Sequence, residues 1–263
     1  MAGSTERIFS EGGLEMKVHR SKGFFSVRKC AVGVCLVAAV VLMSSAQAMP
    51  VTQVWVKSGD PAPDGNGTFQ WFETPVLNDA GQVAFGVQFQ GTSGGGDDDR
   101  AIIRGSAAAM IQIVREGQAA PDGNGLCKPS VFAPSLNNNG AVSSWIEFTG
   151  SSNPSEDNTG IVRGGGGSLA LLARGGEEPP GGNGVYDDFD TGPSLNDTGP
   201  GQVAFVCQFD DTDGGSADDT GIVRTDGLTR TMMAREGDAS PDGNGDIKVI
   251  PSEAIEIGRA SCR

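Results

Sequence analysis

SGDPAPDGNG at 58–67, EGQAAPDGNG at 116–125, GGEEPPGGNG at 175–184 and EGDASPDGNG at 236–245 are four versions of one phrase. Their Asn-Gly pairs begin at Asn66, Asn124, Asn183 and Asn244, at intervals of 58, 59 and 61 residues. Self-similarity at a fixed period points to an array of equivalent units that bury their apolar faces by stacking on one another. Asn-Gly readily takes the positive φ angles of tight turns, so the recurring pair reads as a turn. The third copy has Gly181 where the others have Asp64, Asp122 and Asp242. That loss counts against an obligatory ligand in the phrase and makes it a ruler for the chain.

Other elements keep the same beat. Asn78-Asp79-Ala80-Gly81-Gln82-Val83-Ala84-Phe85 returns from Asn137 to Ser144, and again from Asn196 to Phe205 with Pro200-Gly201 inserted. Ile102-Ile103-Arg104, Ile161-Val162-Arg163 and Ile222-Val223-Arg224 form another series. Lys57, Arg115, Arg174 and Arg235 each stand seven residues before Asp64, Asp122, Gly181 or Asp242. Residues 82–89 and 202–209 alternate roughly polar and apolar, as half-buried strands do. Ala101–Arg104, Met110–Arg115 and Val131–Ala133 are further strand candidates, giving about four short strands per unit. With 41 Gly and 14 Pro, no long helical window remains outside the N-terminus. The expected fold is all-β, with tandem repeats of about 59 residues arranged as β-propeller blades. An open β repeat array or sandwich is the alternative. Val54–Gly59 matches the last strand of a unit, so the chain enters the pattern one strand early, as ring-closing propellers do.

The two ends read differently. Residues 1–48 have a basic lead (Lys17, Arg20, Lys22, Arg28, Lys29), an apolar run from Cys30 to Met43 and a small-x-small site at Ala46-Gln47-Ala48. This is the pattern of a cleaved signal peptide, with Met16 an alternative start. The β-repeat domain is expected over 49–256, in units of about 60–117, 118–176 and 177–237 and a partial one at 238–256. Residues 257–263 break the pattern and read as a sequence artefact of a truncated gene.

Beyond residue 48 the chain carries 13 basic and 30 acidic residues. This excludes a nucleic-acid surface, which needs a basic face, and disfavours anionic membranes. The acids cluster in loops at one phase of each unit: Asp97–Asp99, Glu156-Asp157 and Asp210 to Asp219. Solvated loop tips that keep strand edges soluble are the simpler reading. Clustered carboxylates on flexible loops also suit calcium, and Asp210, Asp211, Asp213, Asp218 and Asp219 are the candidate ligands. The loop lacks the EF-hand spacing. No other cofactor is expected.

Tools for catalysis are few. The one histidine, His19, lies in the export segment, which removes Ser-His and Cys-His pairs from the rest. Paired carboxylates could still hydrolyse a glycoside. Arg104, Arg163 and Arg224 are expected to pair with loop carboxylates. Cys127 and Cys207 fall at different phases and are expected as two separate thiols.

The run NDAGQVAF at 78–85, with its GDPAPDGNG lead-in, resembles the bacterial NxxGxxAF tandem-repeat family, over roughly residues 50–250. The second copy departs from it, ending in Ser143-Ser144 where Ala-Phe stands in the motif. The resemblance implies export, repeat architecture and a variable surface anchor, here in a missing C-terminal part, and it implies no activity. Together these readings predict a secreted or cell-surface structural and binding module, calcium-supported, that is not an enzyme. Its partner would be an extracellular glycan or protein, with no membrane insertion after signal cleavage. A carbohydrate-active hydrolase using loop carboxylates is the alternative, and a surface-layer component with no ligand is a third.

Overall fold

The computed structural model describes residues 54–106, 109–129, 134–189 and 192–251. Residues 1–48, which the sequence suggested as a signal peptide, the strand candidate 131–133 and the terminal 257–263 lie outside the described residues. All described residues belong to the compact unit Gln53–Arg263.

The fold is all-β. Three antiparallel sheets follow one another along the chain, and none closes on itself. The first holds β1 (Thr68–Phe72), β2 (Val76–Leu77), β3 (Val83–Gln90), β4 (Arg100–Gly105) and β5 (Met110–Arg115). The second holds β6 (Leu126–Pro129), β7 (Ser135–Leu136), β8 (Val142–Thr149), β9 (Thr159–Gly164) and β10 (Ala170–Arg174). The third holds β11 (Val185–Tyr186), β12 (Ser194–Leu195), β13 (Val203–Asp210), β14 (Thr220–Thr225) and β15 (Arg230–Arg235). Each has one layout, with an eight-residue strand flanked by a hairpin on one side and by two short strands on the other.

The sequence implied four strands per sheet, and the structure has five. Pro75, Pro134 and Pro193 explain the difference, each standing between the two short strands that share one side of the long strand. Proline cannot donate to the ladder, so the edge strand is interrupted there. The last strand of each sheet carries a register shift at the same place, beside Ile102/Ile103, Leu171/Ala173 and Ile222/Val223.

The sheets pack face to face. Ala84, Ile102 and Val114 of the first meet Val142, Ile146 and Phe148 of the second in one core. Ile161, Leu172 and Ala173 of the second meet Val203, Phe205 and Phe209 of the third in another. Each fully buried Ile or Phe contributes about 1.5–3 kcal/mol of transfer free energy. Ser143 and Ser144 are buried where the other sheets have Ala-Phe, and their hydroxyls donate to the Val162 and Trp145 carbonyls. Cys127 and Cys207 are both buried, and their thiols donate to the Ala119 and Gly221 carbonyls.

Polar bonds join the sheets at separations of 59 residues. Asn78 Nδ2 donates to the Asn137 carbonyl (2.8 Å), and Asn137 Nδ2 donates to the Asn196 carbonyl (3.0 Å). Asn138 lies between Asp79 and Asp197, donating to both carboxylates. The third residue series completes these junctions. Arg104 Nη1 donates to the Gly140 carbonyl, and Arg163 Nη1 to the Gly201 and Asp226 carbonyls. These arginines therefore bond backbone oxygens of the following sheet, and not the loop carboxylates that the sequence suggested. Arg224 is exposed.

Candidate functional site

The recurring phrase is a turn, but its asparagine does not supply the positive φ. In the first copy Gly65 and Gly67 do so, with φ of 77° and 92°. A Cβ on Gly67 would stand 2.8 Å from the Gln90 carbonyl, and one on Gly125 would stand 2.7 Å from that of Thr149. Glycine is therefore required there for both conformation and space. The asparagine side chain is left to bind the acidic loop. Asn66 Nδ2 donates to Asp98 (2.8 Å) and its Oδ1 accepts from the Ser93 N–H (2.8 Å). Asn124 does the same with Asp157 and Ser152, and Asn183 with Asp218 and Asp213.

An arginine clasp locks turn and loop together. Arg115 Nε donates to the Asp98 carbonyl (2.7 Å), Nη2 to the Asn66 carbonyl (2.9 Å) and Nη1 to both Asp64 oxygens. Its guanidinium lies 4.4 Å from the centre of the Phe89 ring. Arg174 repeats every contact with Asp157, Asn124, Asp122 and Phe148. Arg235 repeats them with Asp218, Asn183 and Phe209, but Gly181 offers no carboxylate. Bidentate pairing and ring stacking are what arginine does best. The seven-residue spacing to the next aspartate hid this partner, because each arginine reaches back to the turn that opens its own sheet.

Of the five residues proposed for calcium, Asp218 has its carboxylate engaged by these contacts. Asp218 accepts from Asn183 (2.7 Å) and from the Gly214 N–H (3.1 Å). Asp213 offers its N–H to Asn183, and Asp219 accepts a weak bond from Thr220. Asp210 ends β13 opposite Val185, and Asp211 takes a φ of 55°. Among the described residues, no three His, Cys, Asp or Glu side chains form a group able to hold a metal. In the second sheet, burial pulls Asp157 upward, but hydrogen bonds from Asn124, the Asn153 N–H and Ser152 outweigh it and hold its carboxyl at about 2.

Three of the described acids move the other way, and one of them, Asp187, is raised by burial and by the nearby Asp210 and Asp188. Burial raises Glu116, reinforced by Asp99 beside it, and burial likewise raises Glu236 beside Asp219. A carboxyl raised above its ordinary range beside a second acid is the raw material of glycoside hydrolysis. The pair occurs at the same position in the first and third sheets, and the second has Asn158 and Gly175 there.

Where the second and third sheets meet, a cleft of about 440 Å³ is walled by Leu171, Leu172, Pro179 and Pro180. Glu178 and Arg230 are its charged residues, and Leu228 stands at the rim, 97% exposed. Arg230 Nε donates to the Leu172 carbonyl (2.6 Å), and its Nη2 pairs with Glu177 (2.6 Å). The strand registers place Arg230 where the second sheet has Leu169. Leu169 is packed with Ile111 and Ile113 in the core between the first two sheets. Glu178 likewise replaces the Ala119 of the preceding turn, and Pro179 replaces Ala120. The departure from pattern at these positions was visible in the sequence, but only the registers show that they meet.

A family model described as a family of unknown function, DUF7453, matches residues 33–258. No curated protein and no solved structure matches the chain. The matched segment spans most of the chain, so the protein belongs to the DUF7453 family.

Proposed function

We propose that the chain is an exported or cell-surface β-repeat module that serves as a scaffold and binds an extracellular glycan or protein. One observation carries the reading. The conspicuous loop residues make the same contacts in successive sheets: asparagine to aspartate, and arginine to the turn. A catalytic centre needs one asymmetric constellation, whereas a scaffold needs the same bonds in each unit. The resemblance of residues 78–85 to exported tandem-repeat proteins supports the same reading, as does the signal-like segment 1–48. Propeller blades are our preferred arrangement for the sheets, since face-to-face stacking of four-position meanders is how such blades pack.

The hydrolase reading has one observation in its favour, the raised Glu116 beside Asp99. Its recurrence as Glu236 and Asp219 speaks for a structural role. The two readings separate on an array of glycans and polypeptides probed with the purified full chain, alongside chromogenic glycosides. Saturable binding without product release is expected. Product release that Glu116→Gln abolishes would overturn the module reading.

A further inference from the structure

The cleft between the second and third sheets has an unbalanced charge. Of its two charged lining residues, Arg230 is already bound to Glu177, outside the lining, and to the Leu172 carbonyl, which leaves Glu178 as the lining carboxylate. Glu178 is exposed and has no ion pair among the described residues. Behind it stand the apolar walls of Leu171, Leu172, Pro179 and Pro180, with Leu228 at the rim. Such a site matches a compact cation on an apolar stem. Among the described residues no aromatic ring lines the cleft for a guanidinium to stack on, which favours an ammonium over arginine. The net charge of −14 draws cationic partners to the surface as a whole.

We propose that this cleft receives a lysine side chain from a partner polypeptide, with the ammonium on Glu178 and the methylenes against the leucines and prolines. The proposal deepens the binding-module reading and rests on it. At the preceding junction Leu169 holds the place of Arg230 and packs with Ile111 and Ile113.

The test is an amide NMR titration of the isotope-labelled full chain with Nα-acetyl-lysine N-methylamide, its norleucine counterpart and maltose. Lysine should give saturable shifts at Glu178, Gly227, Leu228 and Arg230. Norleucine should bind about three- to fivefold more weakly, the range expected for one exposed ion pair. Glu178→Gln should lower lysine affinity to the norleucine level. Glu178→Lys should abolish lysine binding while the strand amides keep their shifts, which shows that the variant is folded. Three results would overturn the proposal: no shifts at the cleft, equal binding of norleucine, or maltose binding there more tightly than lysine. In each case the module reading survives if the array finds a ligand elsewhere, and it falls separately if the array finds only turnover.

Discussion

Tyr186 shows how a single residue departs from its surroundings. Its ring lies among Phe189, Phe205 and Phe209 in the second core, and its hydroxyl is buried with no hydrogen-bond partner among the described residues. Burial pushes the phenol well above its ordinary value. An unmade buried hydrogen bond costs about 1–3 kcal/mol, so Tyr186→Phe should raise stability by about 1 kcal/mol in urea unfolding. Glu116 gives a second test. Burial and the neighbouring Asp99 raise its carboxyl, so the folded state binds that proton more tightly than the unfolded chain. Its contribution is then complete below the ordinary carboxyl range and is lost as pH rises through the raised value. Glu116→Gln should therefore flatten the fall in stability between acid and neutral pH, and should leave the protein more stable than wild type at neutral pH. Asp157 has the opposite sign, since its contribution is lost only as pH falls towards about 2.

At the scale of elements, the third turn is the weak copy. Ala62, Ala120 and Ser240 each donate an N–H across their turns to Gly67, Gly125 and Gly245. Pro179 has no N–H to give, and Gly181 has no carboxylate for the Asn183 N–H or for Arg235. Hydrogen exchange should accordingly be faster at Gly182–Gly184 than at Gly123–Gly125, and equal protection of the two turns would contradict the assignment. Most strands were legible from alternation and β-branched runs, because β3, β4, β5 and β13 carry dense local patterns. The split edge strands were not, since Pro75, Pro134 and Pro193 act through a ladder whose partner is distant in sequence. The clasp was half legible. The spacing of Arg115, Arg174 and Arg235 marked them as important, but a residue about 50 positions back cannot be distinguished by spacing from one seven positions ahead. The cleft was least legible, since Glu178, Leu228 and Arg230 gain meaning only when β10, the third turn and the β14–β15 hairpin are brought together.

At the scale of the molecule, acidic character and structural bonding are one property. The carboxylates that give the chain its negative charge also anchor turns, accept from asparagines and hold arginines over phenylalanine rings. The asparagine–aspartate bonds recur in the three described sheets, and among them only the third lacks the carboxylate that its arginine would grip. The most direct measurement is the melting temperature of Asn66→Ala, Asn124→Ala and Asn183→Ala, each read beside binding on the glycan and polypeptide array. The account predicts that all three destabilise by similar amounts, about 1–3 kcal/mol for a lost pair of hydrogen bonds, with binding retained. A variant that abolished binding while leaving its melting temperature unchanged would contradict the account, because that copy would then be a functional site and not a structural one.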